Sequence, residues 1–430
     1  MRNKKNIGVF GLWHLGCIYA TSLASKGFNV KGYDFDETVV KRLQKNIPPL
    51  FEPGLEDILK KFNGKNLHFI IEENEFFKNL DYLFITHDLP VDDKDLIQIS
   101  IIDKTFSLLA KKITSYTTIV ISSQIPVGTS SRLVKMLEKN NIKNPKVIYF
   151  PENLRLGQAF VSFLTPDRIV LGSENIGSID TFIEDFSFLN CPFITMNLES
   201  AEMTKHALNS YLATCISFSS EISDLAEKVG ANMSDIVKAL KTDRRVSQYT
   251  PINPGLGFAG GTLGRDIKTL KKISNTIKYQ PKLLNAVYDV NQDRIPMLIS
   301  KLHSIYPSLR NKSIGILGLT YKPNTDTLRR SMSLELIKKL KNKGCKIKAY
   351  DPTVSKNIEG YHFVEVCNSV SSFFRDLDIV ILMTDWSEFR SIDPSKVKSM
   401  SKKIIVDTKN FLDKQKYEGC GFKVLRIGEK

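Results

Sequence analysis

The run "KNIGVFGLWHLGCIYATSLASKGFNVKGYDFD", Lys5 to Asp36, decides the fold. Its apolar stretch Asn6 to Phe10 reads as a strand, the glycines after it as a turn, about Leu15 to Lys26 as a helix, and Asn29 to Tyr33 as a second strand ending on Asp34. A strand, glycine turn, helix and strand with an acid about 20 residues on is the pattern of a βαβ unit that binds a dinucleotide. In such a turn the first glycine makes the bend, the second lets backbone approach a pyrophosphate, and the third lets helix meet strand. The turn here is GLWHLG, Gly11 to Gly16, with Trp13 at the second position. By itself it reads equally as a cofactor site built on Gly11, Trp13, Leu15, Gly16 and Asp34 or as a structural turn.

Further apolar runs follow at "LDYLFIT", "TTIVIS", "KVIYF" and "RIVLG", with helical stretches between several of them. That alternation predicts a parallel sheet covered on both faces. From Glu199 the pattern changes: "SAEMTKHALNSYLATCISFSSEISDLAEKVG" has a capping candidate in Ser200, an acid at Glu202, apolar residues at helical spacing and a terminating Gly230. A helix of about thirty residues is expected to span two domains or pack against a partner subunit. "KSIGILGLTYKPNTDTLRRSMSLELIKKLKNKGCKIKAYDP" then repeats strand, loop, helix, strand and acid, the acid being Asp351. "LDIVILMTDW" and "KKIIVDTKN" add two strands. The expected fold is α/β, two Rossmann-like doubly wound domains joined by a helical middle with a long helix. The expected boundaries are 1–198 for the first α/β domain, 199–300 for the central helical region and 301–430 for the second α/β domain.

Composition excludes several classes. A chain of 430 residues exceeds one core and agrees with two or three domains at roughly 150 residues each. With 42% hydrophobic and 25% charged residues and no long apolar run, it reads as globular and not membrane-bound. The start runs directly into a strand, so no signal peptide is expected, and the six cysteines form no CxxC pair or zinc spacing. They read as reduced thiols of a cytoplasmic protein, with no metal. The net charge of +15 comes from lysines spread over the whole chain, which suits an anionic ligand and argues against nucleic acid.

Taken together, "EPGL" (Glu52 to Leu55), "IPVGT" (Ile125 to Thr129), "PENLRLGQA" (Pro151 to Ala159), "PDRIVLG" (Pro166 to Gly172), "SAEMTKHALNSYLA" (Ser200 to Ala213), "PGLGFAGGTLGRD" (Pro254 to Asp266), "GLTYKPNTDTLRRS" (Gly318 to Ser331) and "TDW" (Thr384 to Trp386) occur in one order along the chain. In this the chain resembles the UDP-glucose/GDP-mannose dehydrogenase family, nearly end to end. The resemblance implies an NAD-dependent oxidation of a nucleotide-sugar alcohol, a homodimer or higher homo-oligomer, and a place in surface polysaccharide synthesis, with a UDP-sugar the favoured substrate. It also implies an NAD-binding domain over 1–198, a central dimerisation and substrate region over 199–300 and a nucleotide-sugar-binding domain over 301–430. Most members transfer two hydrides, the second from a thiohemiacetal formed on a cysteine.

The family loop G-x-G-G-S-C-F-P-K-D falls on Gly257, Phe258, Ala259, Gly260, Gly261, Thr262, Leu263, Gly264, Arg265 and Asp266, so Thr262 stands in the place of the cysteine. A hydroxyl has no usable anion near neutral pH without a base, whereas a thiol has a few per cent. Where the family carries the glutamate associated with thioester hydrolysis, this chain has Leu156. For the first oxidation the resemblance assigns Lys205, Asn209 and Asp266 to the reacting hydroxyl and its water, and Glu152 to the same neighbourhood. Lys205 and Asn209 share a helix face at i, i+4 spacing. A lysine beside an acid can stabilise a developing alkoxide while the acid takes the proton. Lys205 and Asn209 also read as ordinary helix-surface residues, and Asp266 as a cap for the helix "DIKTLKKI", a role compatible with catalysis. His206 reads as structural.

Phe258, Ala259, Gly260 and Gly261 are expected at the sugar, Arg245 across the dimer at the substrate, Lys322 near it, and Arg329 and Gln124 at NAD; Arg265 replaces the family lysine, and "THDLP" (Thr86 to Pro90) alters a family loop. Asp34 favours NAD over NADP because a carboxylate repels a 2′-phosphate. The expected reaction is one hydride transfer giving an aldehyde or ketone. Two rivals stand beside it: the ordinary two-step UDP-glucose 6-dehydrogenase, with Thr262 or a stray thiol such as Cys215 standing in, and a nucleotide-sugar-binding pseudoenzyme.

Overall fold

The computed structural model describes residues 4–89, 98–152, 154–155, 157–258, 261–354, 358–397 and 399–430. Leu156, Ala259, Gly260 and Pro90 lie outside them. The chain divides after Ala207 into two units, Met1–Ala207 and Leu208–Lys430.

The first unit holds one sheet made of β1 (Asn6–Phe10), β2 (Asn29–Tyr33), β3 (Leu67–Phe69), β4 (Tyr82–Ile85), β5 (Thr118–Ile121), β6 (Val147–Tyr149), β7 (Ile169–Gly172) and β8 (Phe193–Met196), in the order β3-β2-β1-β4-β5-β6-β7-β8. Alternate residues of each strand feed opposite cores: Ile7, Val9, Phe84, Val120 and Ile148 join one cluster, and Phe10, Leu83, Ile85, Ile119 and Tyr149 the other. Both faces are therefore covered, which is why these strands read as unbroken apolar runs. The sheet is parallel except that β7 meets β6 antiparallel, through the single pair Tyr149 and Gly172. The uniformly parallel sheet expected from the alternation is corrected there. Among its described residues the link between β6 and β7 carries one helix, the six-residue Ala159–Leu164, and β7 runs in the reverse direction.

The second unit holds β9 (Ser313–Leu317), β10 (Lys346–Tyr350), β11 (Val364–Val366), β12 (Ile379–Leu382), β13 (Ile404–Asp407) and β14 (Lys423–Arg426), all parallel, in the order β11-β10-β9-β12-β13-β14. Counted from its first strand this is the 3-2-1-4-5-6 order of doubly wound dinucleotide-binding sheets, and the first unit begins with the same order. In both, the order reverses between the first and fourth strands, and ligands of such sheets bind in the crevice at that switch point.

The long helix Leu198–Val229 has 32 residues and is followed by Gly230 at φ +79, where a glycine ends a helix without strain. Its start differs from expectation: the side chain of Asn197, not Ser200, caps it, accepting from the Ser200 N–H at 2.8 Å. The other helices of the second unit include Met233–Thr242, Leu263–Thr276, Lys282–Gln292 and Arg294–Ile305. Among the described residues no helix is long and apolar enough to cross a membrane.

Candidate active site

In the first unit the chain leaves β1 at Gly11, whose φ of +103 lies in the left-handed region. A Cβ there would sit 2.7 Å from the His87 amide nitrogen, and one on Gly16 would run into the Gly11 carbonyl. First and third glycines are thus sterically required. Asp34, at the end of β2, ties the turn down: its Oδ2 accepts from the Leu12 N–H at 2.6 Å and its Oδ1 from the Asp36 N–H at 2.9 Å. Asp34 is half-buried, and a carboxylate that accepts these two hydrogen bonds retains acceptor capacity for a ribose hydroxyl.

Trp13 precedes the helix His14–Ser25 with φ −80, a conformation that needs no glycine. Trp13 is 44% exposed, it supplies no side-chain cap, and Leu15 follows in the first turn. The helix N-terminus therefore keeps N–H groups for an anion, and the cradle left by Gly11 and Gly16 fits a dinucleotide pyrophosphate. Gln124 is buried just past the end of β5.

Other residues of this unit hold the turn in place, and sequence reasoning gave them no role. His87 lies against Gly11, its ring stacked on Phe35 and edge-on to Phe10, with Nε2 sharing a 2.8 Å hydrogen bond with Thr105. Burial, aided by the Lys104 charge, pulls its pKa down to about 3, so it is neutral. Glu52 of "EPGL" accepts from Gly157 N–H and Ala159 N–H, each at 2.9 Å, and pairs with His14 Nε2 at 2.9 Å. Burial alone would push its carboxyl up, but the donors His14, Ala159 and Gly157 hold it below the ordinary value. The pattern that could have revealed Glu52 was the acid next to Pro53 and Gly54 ahead of a helix.

Lys205 is buried, and its Nζ donates to the Glu152 carbonyl at 2.6 Å with the Glu152 carboxylate 3.7 Å away. Three neighbours on its helix fix its place. Glu202 accepts from the Gly128 and Ser130 N–H groups at 2.5 and 2.8 Å, Glu199 accepts from the Ser131 hydroxyl, and His206 shares a 3.1 Å hydrogen bond with the Ile125 carbonyl. Burial pushes the Glu202 carboxyl up against the opposing hydrogen bonds from Ser130 and Gly128. His206 is buried, with its ring on the Ile125 backbone carbonyl.

In the second unit Asn209 donates its amide to Asp266 Oδ2, and both residues are buried. Asp266 is not a helix cap: the helix Leu263–Thr276 starts earlier, and Asp266 lies within its first turn. The expectation failed because Gly264 and Arg265 read as loop. Thr262 is the residue before the helix; it is exposed, and its hydroxyl caps nothing. Gly257, at φ +81, lies where a Cβ would come 2.9 Å from Arg294 Cγ. Asn291 clamps the next residue, accepting from Phe258 N–H at 2.8 Å and donating to its carbonyl at 3.2 Å. Arg294, fully buried, forks onto Asp224 at 2.6 and 3.0 Å. Neither Asn291 nor Arg294 was singled out from sequence, because both lie on helices far along the chain from the loop they fix.

Gly261 and Arg265 flank Thr262 and Asp266. Arg245 is exposed and forks onto Asp243 at 2.9 and 2.7 Å. Lys322 lies 5.7 Å from the centre of the Tyr321 ring, and Arg329 is exposed beside an open cavity lined also by Thr353 and Tyr361. Cys215 packs with Met233, Val237 and Ile252. Among the described residues no cluster of His, Cys, Asp or Glu could hold a metal ion.

A doubly wound fold with a glycine cradle and an acid at its switch point defines a dinucleotide-binding protein. Comparison with known proteins makes this specific. Residues 5–186 match the NAD-binding domain of the UDP-glucose/GDP-mannose dehydrogenase family, 199–293 its central domain and 315–414 its UDP-binding domain. A UDP-glucose 6-dehydrogenase of Rickettsia conorii is 32% identical over 99% of this chain and 100% of its own. TuaD, a UDP-glucose 6-dehydrogenase of Bacillus subtilis, is 29% identical over 99% of this chain and 93% of its own. A solved UDP-glucose dehydrogenase of Pyrobaculum islandicum superposes with a TM-score of 0.89 at 25% identity, over 100% of this chain and 98% of that one. The chain belongs to the UDP-glucose/GDP-mannose dehydrogenase family, and it is an NAD-dependent oxidoreductase acting on a nucleotide-sugar CH–OH group.

Proposed function

We propose that this protein performs a single hydride transfer, from an alcohol of a UDP-sugar to NAD, and releases an aldehyde or ketone. The observation that carries the reading is Thr262, exposed at the N-terminus of the helix Leu263–Thr276 with no side-chain cap. A cysteine at a helix N-terminus has its thiolate stabilised by the free N–H groups, and that setting makes a nucleophile. A threonine hydroxyl gains nothing comparable, because its anion is out of reach near neutral pH. No thiol occurs between Pro254 and Asp266, and Cys215 is engaged in a separate apolar cluster.

Bound NAD supplies the hydride acceptor. The Lys205 ammonium, held on the Glu152 carbonyl, stabilises negative charge on the alcohol oxygen. Asp266, oriented by Asn209, receives the proton through water. Gln124 and Arg329 serve NAD; Phe258, Ala259, Gly260, Gly261, Lys322 and the partner-facing Arg245 serve the nucleotide sugar. These roles fall on an NAD domain over 1–198, a central region over 199–300 and a nucleotide-sugar domain over 301–430.

The protein acts as a homodimer or higher homo-oligomer in the cytoplasm, feeding surface polysaccharide synthesis. Support for self-association comes from the long helix, where Tyr211, Phe218 and Leu225 recur every seven residues and are exposed together with Val229. The test is product trapping: wild-type protein with NAD and UDP-glucose in the presence of an oxyamine yields a sugar oxime, and Thr262→Cys yields less oxime and some uronate. A uronate from the wild type, with no oxime, contradicts the reading.

A further inference from the structure

His14 is the first residue of the helix that opens at the cofactor turn, and it is bonded to a carboxylate with partners elsewhere. Glu52 is buried, reaches His14 with Oε2, and uses Oε2 and Oε1 for the Gly157 and Ala159 N–H groups. The stretch that contains Gly157 and Ala159 follows β6 and carries Glu152, whose carbonyl takes Lys205 Nζ. One carboxylate thus ties the α-helical end of the dinucleotide cradle to the segment that seats the lysine.

We infer that His14 and Glu52 form a positioning pair that links occupancy of the cofactor turn to the ordering of residues 157–159. The physical basis is geometric. A dinucleotide pyrophosphate at the helix N-terminus holds the first turn of that helix, and with it the His14 ring whose Nε2 meets Glu52 Oε2 at 2.9 Å. A firmer His14 bond holds the Glu52 carboxylate against its two backbone donors, so the segment tightens when the cofactor is present. The inference rests on NAD standing at Gly11 to Gly16, and it is independent of how many hydrides are transferred.

The test is amide hydrogen exchange of the full chain, read on a peptide spanning residues 157–162, with and without NAD and with no sugar present. In the wild type NAD slows exchange of that peptide by about fivefold or more. His14→Phe keeps Glu52 and its backbone bonds and loses most of that NAD-dependent slowing. Glu52→Gln, whose amide can serve only some of the donors, speeds exchange without NAD and weakens NAD binding by about fivefold in calorimetric titration. Equal slowing by NAD in the wild type and in His14→Phe overturns the inference, as does no slowing in the wild type. Should Glu52→Gln fail to fold, His14→Phe still decides. Because neither readout needs turnover, a wild type that binds NAD but releases uronate leaves the inference standing and removes only the single-transfer reading.

Discussion

Asp266 is wholly buried, with the amide of Asn209 on one oxygen, a costly place for a carboxylate that has no chemistry to perform. Asp266→Asn is expected to lower kcat by about 10² to 10⁴ while the thermal unfolding midpoint stays nearly unchanged, checked by initial rates and circular dichroism. Asn209→Ala removes a donor from a buried charge and costs about 1–3 kcal/mol of stability, measurable by urea unfolding. His87 makes a pH prediction. Its folded pKa is depressed to about 3 from the ordinary 6.5, so between those values the unfolded chain binds the extra proton and stability rises with pH. Unfolding free energy should therefore fall by up to about 1.4 kcal/mol per unit as pH drops below 6. His87→Asn flattens that slope. That Lys205 lies beside Glu152 and Asn209 beside Asp266 was legible through the family resemblance, which groups their motifs. Asp266's place inside a helix was not, since Gly264 in a first turn resembles loop.

At the scale of elements, the two glycine turns are the same device used twice. Leu12 N–H donates to Asp34 and Leu319 N–H to Asp351; a Cβ on Gly11 would meet the His87 backbone, and one on Gly318 the Thr384 nitrogen at 2.8 Å. They differ in their acids. Asp351 is buried and already accepts from Thr320, Thr353 and the Trp386 indole, whereas Asp34 is partly exposed. Gly318→Ala should cost about 1–3 kcal/mol of stability with NAD affinity retained, whereas Gly11→Ala should abolish NAD binding; calorimetry with urea unfolding separates the two. On the long helix, Phe218→Asp with Leu225→Asp should convert the proposed homo-oligomer to monomer in light scattering, because both side chains are exposed on one face. The first two strands and the long helix were legible because their apolar periods are strong. β3, β8, β11 and β14 were not named, being three- or four-residue edge or near-edge strands with exposed positions and little apolar signal.

For the whole molecule, the repeated strand, glycine turn, helix and strand made two doubly wound sheets legible without coordinates. The sequence carries no local sign of the ties that hold the site. Glu52 and Gly157 are separated by 105 residues and Gly128 and Glu202 by 74, and pairing at such distances is set by topology. What is specific to this chain is a hydroxyl at residue 262 on a family scaffold in which the cofactor turn, the Lys205–Glu152 contact and the Asn209–Asp266 contact are formed. The most direct measurement is the number of NADH formed per UDP-sugar consumed by purified protein. One NADH per sugar, with a carbonyl product, is the predicted result; two, with a carboxylate, would contradict the account.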